Sequence, residues 1–183
     1  MNGKKIVLAS ASPRRAKILS ALGLRFEVVA TDAEEVSYGD DPARTVSENA
    51  IAKAEAYFRR FGRDGNTLVI SADTIVWHDG RIYGKPRDLA EAKEFLRELS
   101  GNEHKVFTAV ALNGSAKVVE SSVRFRKLDE AAIDEYVRRV NPLDRAGAYD
   151  IDESGSLVVE GWSGSYENIM GLAVEPLKEW GIA

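Results

Sequence analysis

The chain alternates between two hydrophobic periods. Unbroken apolar runs, as in "KIVLAS" near the start and "TLVISAD" from Thr67, read as buried strands. Elsewhere apolar residues recur every three to four positions, the helical period, over Pro13–Leu22 and again from Asp41-Pro42 to about Phe61. Gly23 ends the first of these helices, and Asp41 before Pro42 is a helix start. "TIVWHDGRIYG" predicts a hairpin turned at Asp79-Gly80, a pair suited to the positive φ that such turns require. Asp88 and Glu91 have the spacing of a capping box, for a helix that stops at Ser100-Gly101. Two long strands follow in "HKVFTAVALNGSAKVVESSVRFRKL", joined across Asn113-Gly114-Ser115, and Asp129–Val140 predicts another helix. Toward the C-terminus "AGAYDI" and "SLVVEGW" predict short strands before a closing helix through Trp180. Strands that alternate with helices, plus hairpins, predict an α/β fold: a mixed sheet covered by helices on both faces. The connections are short, which favours one unit over residues 1–183.

Composition narrows the function more than the fold. A chain of 183 residues supports one sizeable core, and 44% hydrophobic with 30% charged residues is ordinary for a globule. The formal charge of −4 argues against a surface built for nucleic-acid polymers or anionic membranes, which call for a basic excess. Without cysteine there is neither a disulfide framework nor a thiolate metal site. No apolar run approaches the roughly 18 to 20 residues of a membrane span and no signal-peptide core is recognisable, so the expectation is a cytoplasmic protein. The charge is unevenly placed, however. Every charged residue up to Arg25 is basic, whereas Glu27 to Glu48 is mainly acidic. Two readings fit: solvated faces that attract one another, or cations for phosphate beside carboxylates for a metal.

The basic segment carries "LASASPRRAKIL" between the first strand and the first helix. Ser12 stands at the N-cap position and Pro13 at the first helical position, so free backbone N–H groups face out of a positive helix end. Arg14 and Arg15 in the first turn oppose the helix dipole, an arrangement that an anion held by them and by the Ser10 and Ser12 hydroxyls would explain. A capped helix with two surface arginines explains the same residues. Three further stretches add chemistry. "ISADTIV" places an acid, Asp73, after an apolar strand, where α/β sheets gather their reactive groups. "GKPRD" holds Lys85 in a rigid turn between Gly84 and Pro86. Lys53 interrupts the apolar "AIAKAEA", so its stem runs along packed surface with its head at a rim.

Taken together, "LASASPRR", "DAEE", "AIAKA", "SADTIV", "GKPRD", "LSGNEHKVFTAV" and "AGAYDI" with "GSYENIMGL" resemble, in order and spacing over the whole chain, the Maf proteins, a family of house-cleaning nucleoside triphosphate pyrophosphatases. The resemblance implies an elongated, twisted mixed sheet with flanking helices, like that of inosine triphosphate pyrophosphatases, and a nucleotide cleft between two lobes. It implies a cytoplasmic homodimer that splits a nucleoside triphosphate into the monophosphate and pyrophosphate with Mg²⁺ or Mn²⁺. Carried onto this chain, the phosphate turn is Ser10, Ser12, Arg14 and Arg15, the phosphate-facing lysines are Lys53 and Lys85, and the proton acceptor is Asp73. Aligning "DAEE" with the family's Val-Asp-Glu puts a second acid at Glu35, and the spacing from Pro42 to Lys53 agrees. Asp73 and Glu35 are the metal candidates; whether each binds metal or takes a proton is open at this level.

The resemblance also implies three specificity positions, here Arg14, Thr74 and Asp152. The first two match the group acting on dTTP and UTP. The third departs, since "GAYDID" replaces that group's "GAYGIQ". An amide both donates and accepts, whereas an ionised Asp only accepts, which favours a base offering N–H groups and keeps a 7-methyl-GTP-type specificity open. Among the remaining residues, His78 and His104 lack metal spacing. Trp77, Trp162 and Trp180 are expected in the core or an interface, with Tyr149, Tyr166 and Trp162 as candidates to stack on a base. Asn168 in "GSYENIMG" is a candidate substrate contact. Two other classes of function remain: a nucleotide-binding regulator of cell division without catalysis, and a phosphatase that removes only the terminal phosphate.

Overall fold

The computed structural model describes residues 4–183. Its sheet has seven strands: β1 (Lys5–Leu8), β2 (Glu27–Val28), β3 (Thr67–His78), β4 (Arg81–Tyr83), β5 (Glu103–Leu112), β6 (Ser115–Phe125) and β7 (Val159–Ser163). They run in the order β2-β1-β3-β5-β6-β7, with β4 also on β3. The sheet is mixed, as expected. β1 lies parallel to β2 and β3, and all other pairs are antiparallel. The helices are α1 (Pro13–Ala21), α2 (Pro42–Phe61), α3 (Leu89–Leu99), α4 (Glu130–Arg139), α5 (Gly155–Val158), α6 (Tyr166–Met170) and α7 (Glu175–Glu179). None of the described helices is long and apolar enough to cross a membrane.

Both hairpins form where the turn chemistry places them. Asp79 and Gly80 have φ of 46° and 79°, and Asn113 and Gly114 have 52° and 89°, the left-handed pairs of a tight two-residue turn. Helix starts follow their caps. The Asp41 side chain accepts from Arg44 N–H, Asp88 from Glu91 N–H and Asp129 from Ala132 N–H. Glu91 reaches back one residue further than a capping box requires, accepting from Arg87 N–H at 2.6 Å. Ser12 does occupy the N-cap of α1, but its hydroxyl makes no capping bond.

The central strand sets the geography. Along one side β3 pairs with β5 without a break from Ile70 to Trp77. On the other side it pairs with β1 only at Thr67 to Ile70 and with β4 only at Val76 to His78. The side from Ser71 to Ile75 is therefore unpaired, a gap in the sheet with Asp73 at its middle. Asp73 is thus not at a strand end, as the sequence pattern suggests, but mid-strand beside a missing neighbour. β1 runs toward this gap from one end and antiparallel β4 from the other, so the turns that leave them converge on Asp73.

Side-chain alternation sorts the core onto the two faces. On one face α2 packs Val46 and Ala50 against Ile75, Phe107, Ala109 and Ala111, and Ala54, Tyr57 and Phe58 against Val7 and Val69. On the other, α1 and α7 bury Ile18, Leu19 and Leu177 against Leu8, Ile70 and Val110. Beside that cluster α3 and α4 bury Phe95, Leu96, Leu99, Ile133 and Tyr136 against Val76, Val106 and Phe125.

Two predicted strands take other forms. In "AGAYDI" Gly147 and Ala148 have φ of 66° and 62°, and consecutive left-handed residues cannot continue a strand. The segment instead forms short 3-10 turns at Pro142–Asp144 and Ala146–Ala148. Asp150 Oδ1 then accepts from Glu153 and Ser154 N–H, both at 2.9 Å, turning the chain into α5. Consequently "SLVVEGW" divides between α5 and β7.

Candidate functional site

A cleft with a cavity volume of about 450 Å³ opens at the gap in the sheet. Asp73 forms its floor at 6% exposure. Above it α2 presents a polar stripe, Thr45, Asn49 and Lys53, spaced i, i+4, i+8 along an otherwise apolar face. The stripe clasps the segment before the helix. Thr45 Oγ1 accepts from Tyr38 N–H at 2.9 Å, and Asn49 accepts from Val36 N–H at 2.8 Å while donating to Val36 C=O at 3.1 Å. Lys53 Nζ lies 2.8 Å from Glu35 Oε1 and 2.5 Å from Asp73 Oδ1, and Asn49 Nδ2 donates to Asp73 Oδ2 at 3.1 Å. One ammonium therefore joins the two predicted carboxylates. Burial pushes the Glu35 carboxyl up, but the bond to Lys53 and the charges of Lys53, Lys85 and Arg15 outweigh it, leaving Glu35 below the ordinary carboxylate value.

The turn after β1 enters from one end of the gap. Arg15 donates from Nε to Gly171 C=O at 2.8 Å, from Nη1 to Ser10 Oγ at 3.0 Å and from Nη2 to Thr74 Oγ1 at 3.4 Å. Ser12 and Arg14 line the cleft, whereas Ser10 stands behind it, accepting from Ser12 N–H and Arg15. The turn after β4 enters from the other end with Lys85, 2.5 Å from Asp144 Oδ1. Arg14 donates to Asp144 C=O at 2.8 Å, so Asp144 bridges the two arms. The chain from Asp144 to Asp152 forms the remaining wall. Gly147 is required there, because a Cβ at this φ of +66° would lie 2.8 Å from Val76 Cγ2.

Sequence reasoning named Ser12, Arg14, Arg15, Glu35, Lys53, Asp73, Thr74, Lys85 and Asp152, and all of them line this one cleft. It missed Asn49, Asp144 and Arg145. Asn49 was legible in principle as a polar residue one turn from Lys53; nothing local marks the other two. Lys17 Nζ sits 2.6 Å from Asp152 Oδ2, and Arg145 Nη1 sits 3.3 Å from Asp150 Oδ2. Among the candidate base contacts, Tyr149 lines the cleft but is buried, with its hydroxyl 2.9 Å from His104 Nε2. Trp162 and Tyr166 pack on each other outside the cleft. Asn168 is fully buried, donating to Val106 C=O and Ser121 Oγ, so it anchors α6 to the sheet and does not face a ligand. His104, also buried, is held neutral: burial and, secondarily, His78 push it down to about 3. Of the two readings of the uneven charge, mutual attraction of basic and acidic segments is realised in the Lys5–Glu27 pair at 2.7 Å, whereas Arg14, Arg15 and Lys17 turn to the cleft wall.

Charge in the cleft balances. Its basic side chains are Arg14, Arg15, Lys53, Lys85 and Arg145; its acidic ones are Glu35, Asp73, Asp144, Asp150 and Asp152. In comparison with known proteins, the family described as Maf-like protein matches residues 5–180. The chain belongs to the Maf-like family. Among its relatives is a protein from Thermotoga petrophila, 43% identical over 171 residues that cover 91% of this chain and 83% of the relative. Others come from Bacillus cytotoxicus, 41% identical over 95% of this chain and 92% of the relative, and Bacillus cereus, 40% identical over 96% and 88%. All three carry the name dTTP/UTP pyrophosphatase. The Maf-like match spans both arms of the cleft and the α2 stripe, so the site belongs to the part of the chain that the family shares.

Proposed function

We propose that this Maf-like protein hydrolyses a pyrimidine nucleoside triphosphate, dTTP or UTP, to the monophosphate and pyrophosphate. The observation that carries the reading is the convergence of Arg14, Arg15, Lys53 and Lys85 on one cleft whose floor is Asp73, joined through Lys53 to Glu35. The names of the relatives support the substrate and the bond cleaved.

The chemistry follows from charge. A triphosphate brings about four negative charges into a cleft of zero formal charge, so a divalent cation accompanying the substrate fits better than a protein-only site. The described residues contain no cluster of three or more metal-binding side chains, and two carboxylates with substrate oxygens is the donor set that Mg²⁺ or Mn²⁺ takes in phosphate chemistry. Asp73 and Glu35 would hold that ion, which when bound neutralises charge developing on the phosphates. The guanidinium groups of Arg14 and Arg15 and the ammonium of Lys85 bind the phosphate oxygens and stabilise the leaving pyrophosphate. Water attacks the α phosphorus, the bond from that phosphorus to the bridging oxygen breaks, and Asp73 accepts the water's proton. Lys53 keeps Asp73 oriented through Oδ1. A homodimer in the cytoplasm belongs to the same proposal.

The pairing of Asp152 with Lys17 supports a pyrimidine base despite the departure at that position. A lone carboxylate only accepts, but the Lys17–Asp152 pair offers an ammonium donor beside a carboxylate acceptor, the combination that an amide provides. Uracil and thymine present an N–H between two carbonyls and match that pair. Ile151, Ile169 and Met170 supply apolar lining nearby. The deciding experiment is product analysis over dTTP, UTP, CTP, GTP and 7-methyl-GTP with Mg²⁺ or Mn²⁺. Pyrophosphate plus monophosphate, fastest from dTTP and UTP, is expected. Orthophosphate plus diphosphate, or tight binding without products, would overturn the reading.

A further inference from the structure

Asn49 is a buried polar side chain of the cleft, at 3% exposure. Its side-chain oxygen accepts from Val36 N–H at 2.8 Å, and its amide nitrogen donates to Val36 C=O at 3.1 Å and to Asp73 Oδ2 at 3.1 Å. All of its hydrogen-bonding groups are thus spent on two targets. One is the carboxylate on the cleft floor. The other is the backbone of the residue next to Glu35, held at both its donor and its acceptor, which fixes that peptide in two directions. Lys53, one turn along α2, then joins Asp73 to Glu35 through its ammonium. A two-residue unit of one helix therefore sets the separation of two carboxylates that come from different parts of the chain. Lys53 does so by charge, and substrate phosphates compete for it. Asn49 is neutral and buried, so an arriving phosphate does not compete for its bonds as it does for those of an ammonium.

We propose that Asn49 is the positioning residue of the reaction: it holds Asp73 and the Glu35 segment in fixed relation through uncharged hydrogen bonds for which a bound phosphate does not compete. This rests on the triphosphate reading of the cleft. Neither the family match nor the names of the relatives assigns Asn49 a role.

The test compares Asn49→Ala and Asn49→Leu with the unaltered protein in three measurements: thermal unfolding, pyrophosphate binding by calorimetry, and kcat and KM for dTTP. Asn49→Leu keeps the volume of the side chain and adds no charge, so its melting temperature should stay closer to that of the unaltered protein than that of Asn49→Ala. It offers nothing to Asp73 or to the Val36 peptide, however, so its kcat should fall as far as that of Asn49→Ala, on the order of 10- to 100-fold for each. KM and pyrophosphate affinity should change little, because Arg14, Arg15 and Lys85 are untouched. That separation of kcat from stability is what a merely structural asparagine would not produce. A kcat near that of the unaltered protein in either folded variant, or a loss of kcat that simply tracks melting temperature, would overturn the proposal while leaving the triphosphate reading intact. If the unaltered protein releases no pyrophosphate from any triphosphate, the parent reading fails and the role of Asn49 with it.

Discussion

Lowering the pH from 8 to 5 should destabilise this protein through one buried imidazole. His104 packs edge-on between Phe125 and Tyr149, with Nε2 bonded to the Tyr149 hydroxyl and Nδ1 without a partner among the described residues. Burial pushes it down to about 3, against an ordinary value of 6.5. Between those values the unfolded chain binds a proton that the fold refuses, so stability is complete above pH 6.5 and is lost as the pH falls toward 3. Linkage over the interval from pH 8 to pH 5 gives a loss of about 2 kcal/mol from this residue. Glu35 and Asp144 do not contribute to this interval, because both are held below the ordinary carboxylate value and stay ionised there. The measurement is urea unfolding at pH 8, 6.5 and 5 for the unaltered protein and for His104→Gln, which offers Tyr149 a polar partner but cannot titrate. His104→Gln should be less stable at pH 8 yet lose about 2 kcal/mol less on going to pH 5. Parallel pH dependence in the two proteins would refute the reasoning.

Three further outcomes test the site and its wall. Asp73→Asn should lower kcat by about 10²- to 10⁴-fold, the range of a lost general base, and should also lower the melting temperature, since the buried Lys53 is left with the more exposed Glu35 as its carboxylate partner; steady-state kinetics on the folded variant beside thermal unfolding check it. Lys17→Met should reduce the preference for dTTP over CTP and 7-methyl-GTP, read as ratios of kcat/KM, and adding Asp152→Gln should restore it. Gly147→Ala should destabilise by about 2 to 4 kcal/mol in urea, since a left-handed alanine is strained and its Cβ would overlap Val76.

How much of this was legible follows from the range of each interaction. Strands, helices and both hairpins rest on local pattern, and Asp79-Gly80 and Asn113-Gly114 adopt the turn their side chains favour. "AGAYDI" misleads because apolar alternation ignores backbone sign: Gly147 and Ala148 both turn left-handed, which no alternation reveals. The residue types of the site were legible, since arginines in a helix's first turn and a lysine on an apolar helix face both call for an explanation. Their convergence was not. It depends on β1 and β4 pairing with separate ends of β3 and leaving Ser71 to Ile75 open between them, which is a matter of register. Asp144 and Arg145 escaped for the same reason: they meet the cleft only because Gly147 lets their segment approach Val76.

The internal ion pairs differ in how readily they yield, and that decides what a bound anion can rearrange. Lys85 and Asp144 pair at the cleft mouth with side chains 65% and 51% exposed, a setting in which a bridge is worth under about 1 kcal/mol. Lys53 and Asp73 pair at 14% and 9%, where removing one partner outright costs about 3 to 5 kcal/mol. Arg15 has no carboxylate within bridging distance among the described residues; its bonds go to Gly171 C=O, Ser10 and Thr74. A phosphate entering the cleft therefore meets Arg15 without displacing a carboxylate and frees Lys85 and Arg14 from Asp144 at small cost. At Lys53 it must supply a charge at least as good as Asp73 before that pair opens. The order of these energies keeps the floor of the cleft assembled while its mouth exchanges partners, and it makes the neutral grip of Asn49 on Asp73 the contact that the exchange leaves untouched.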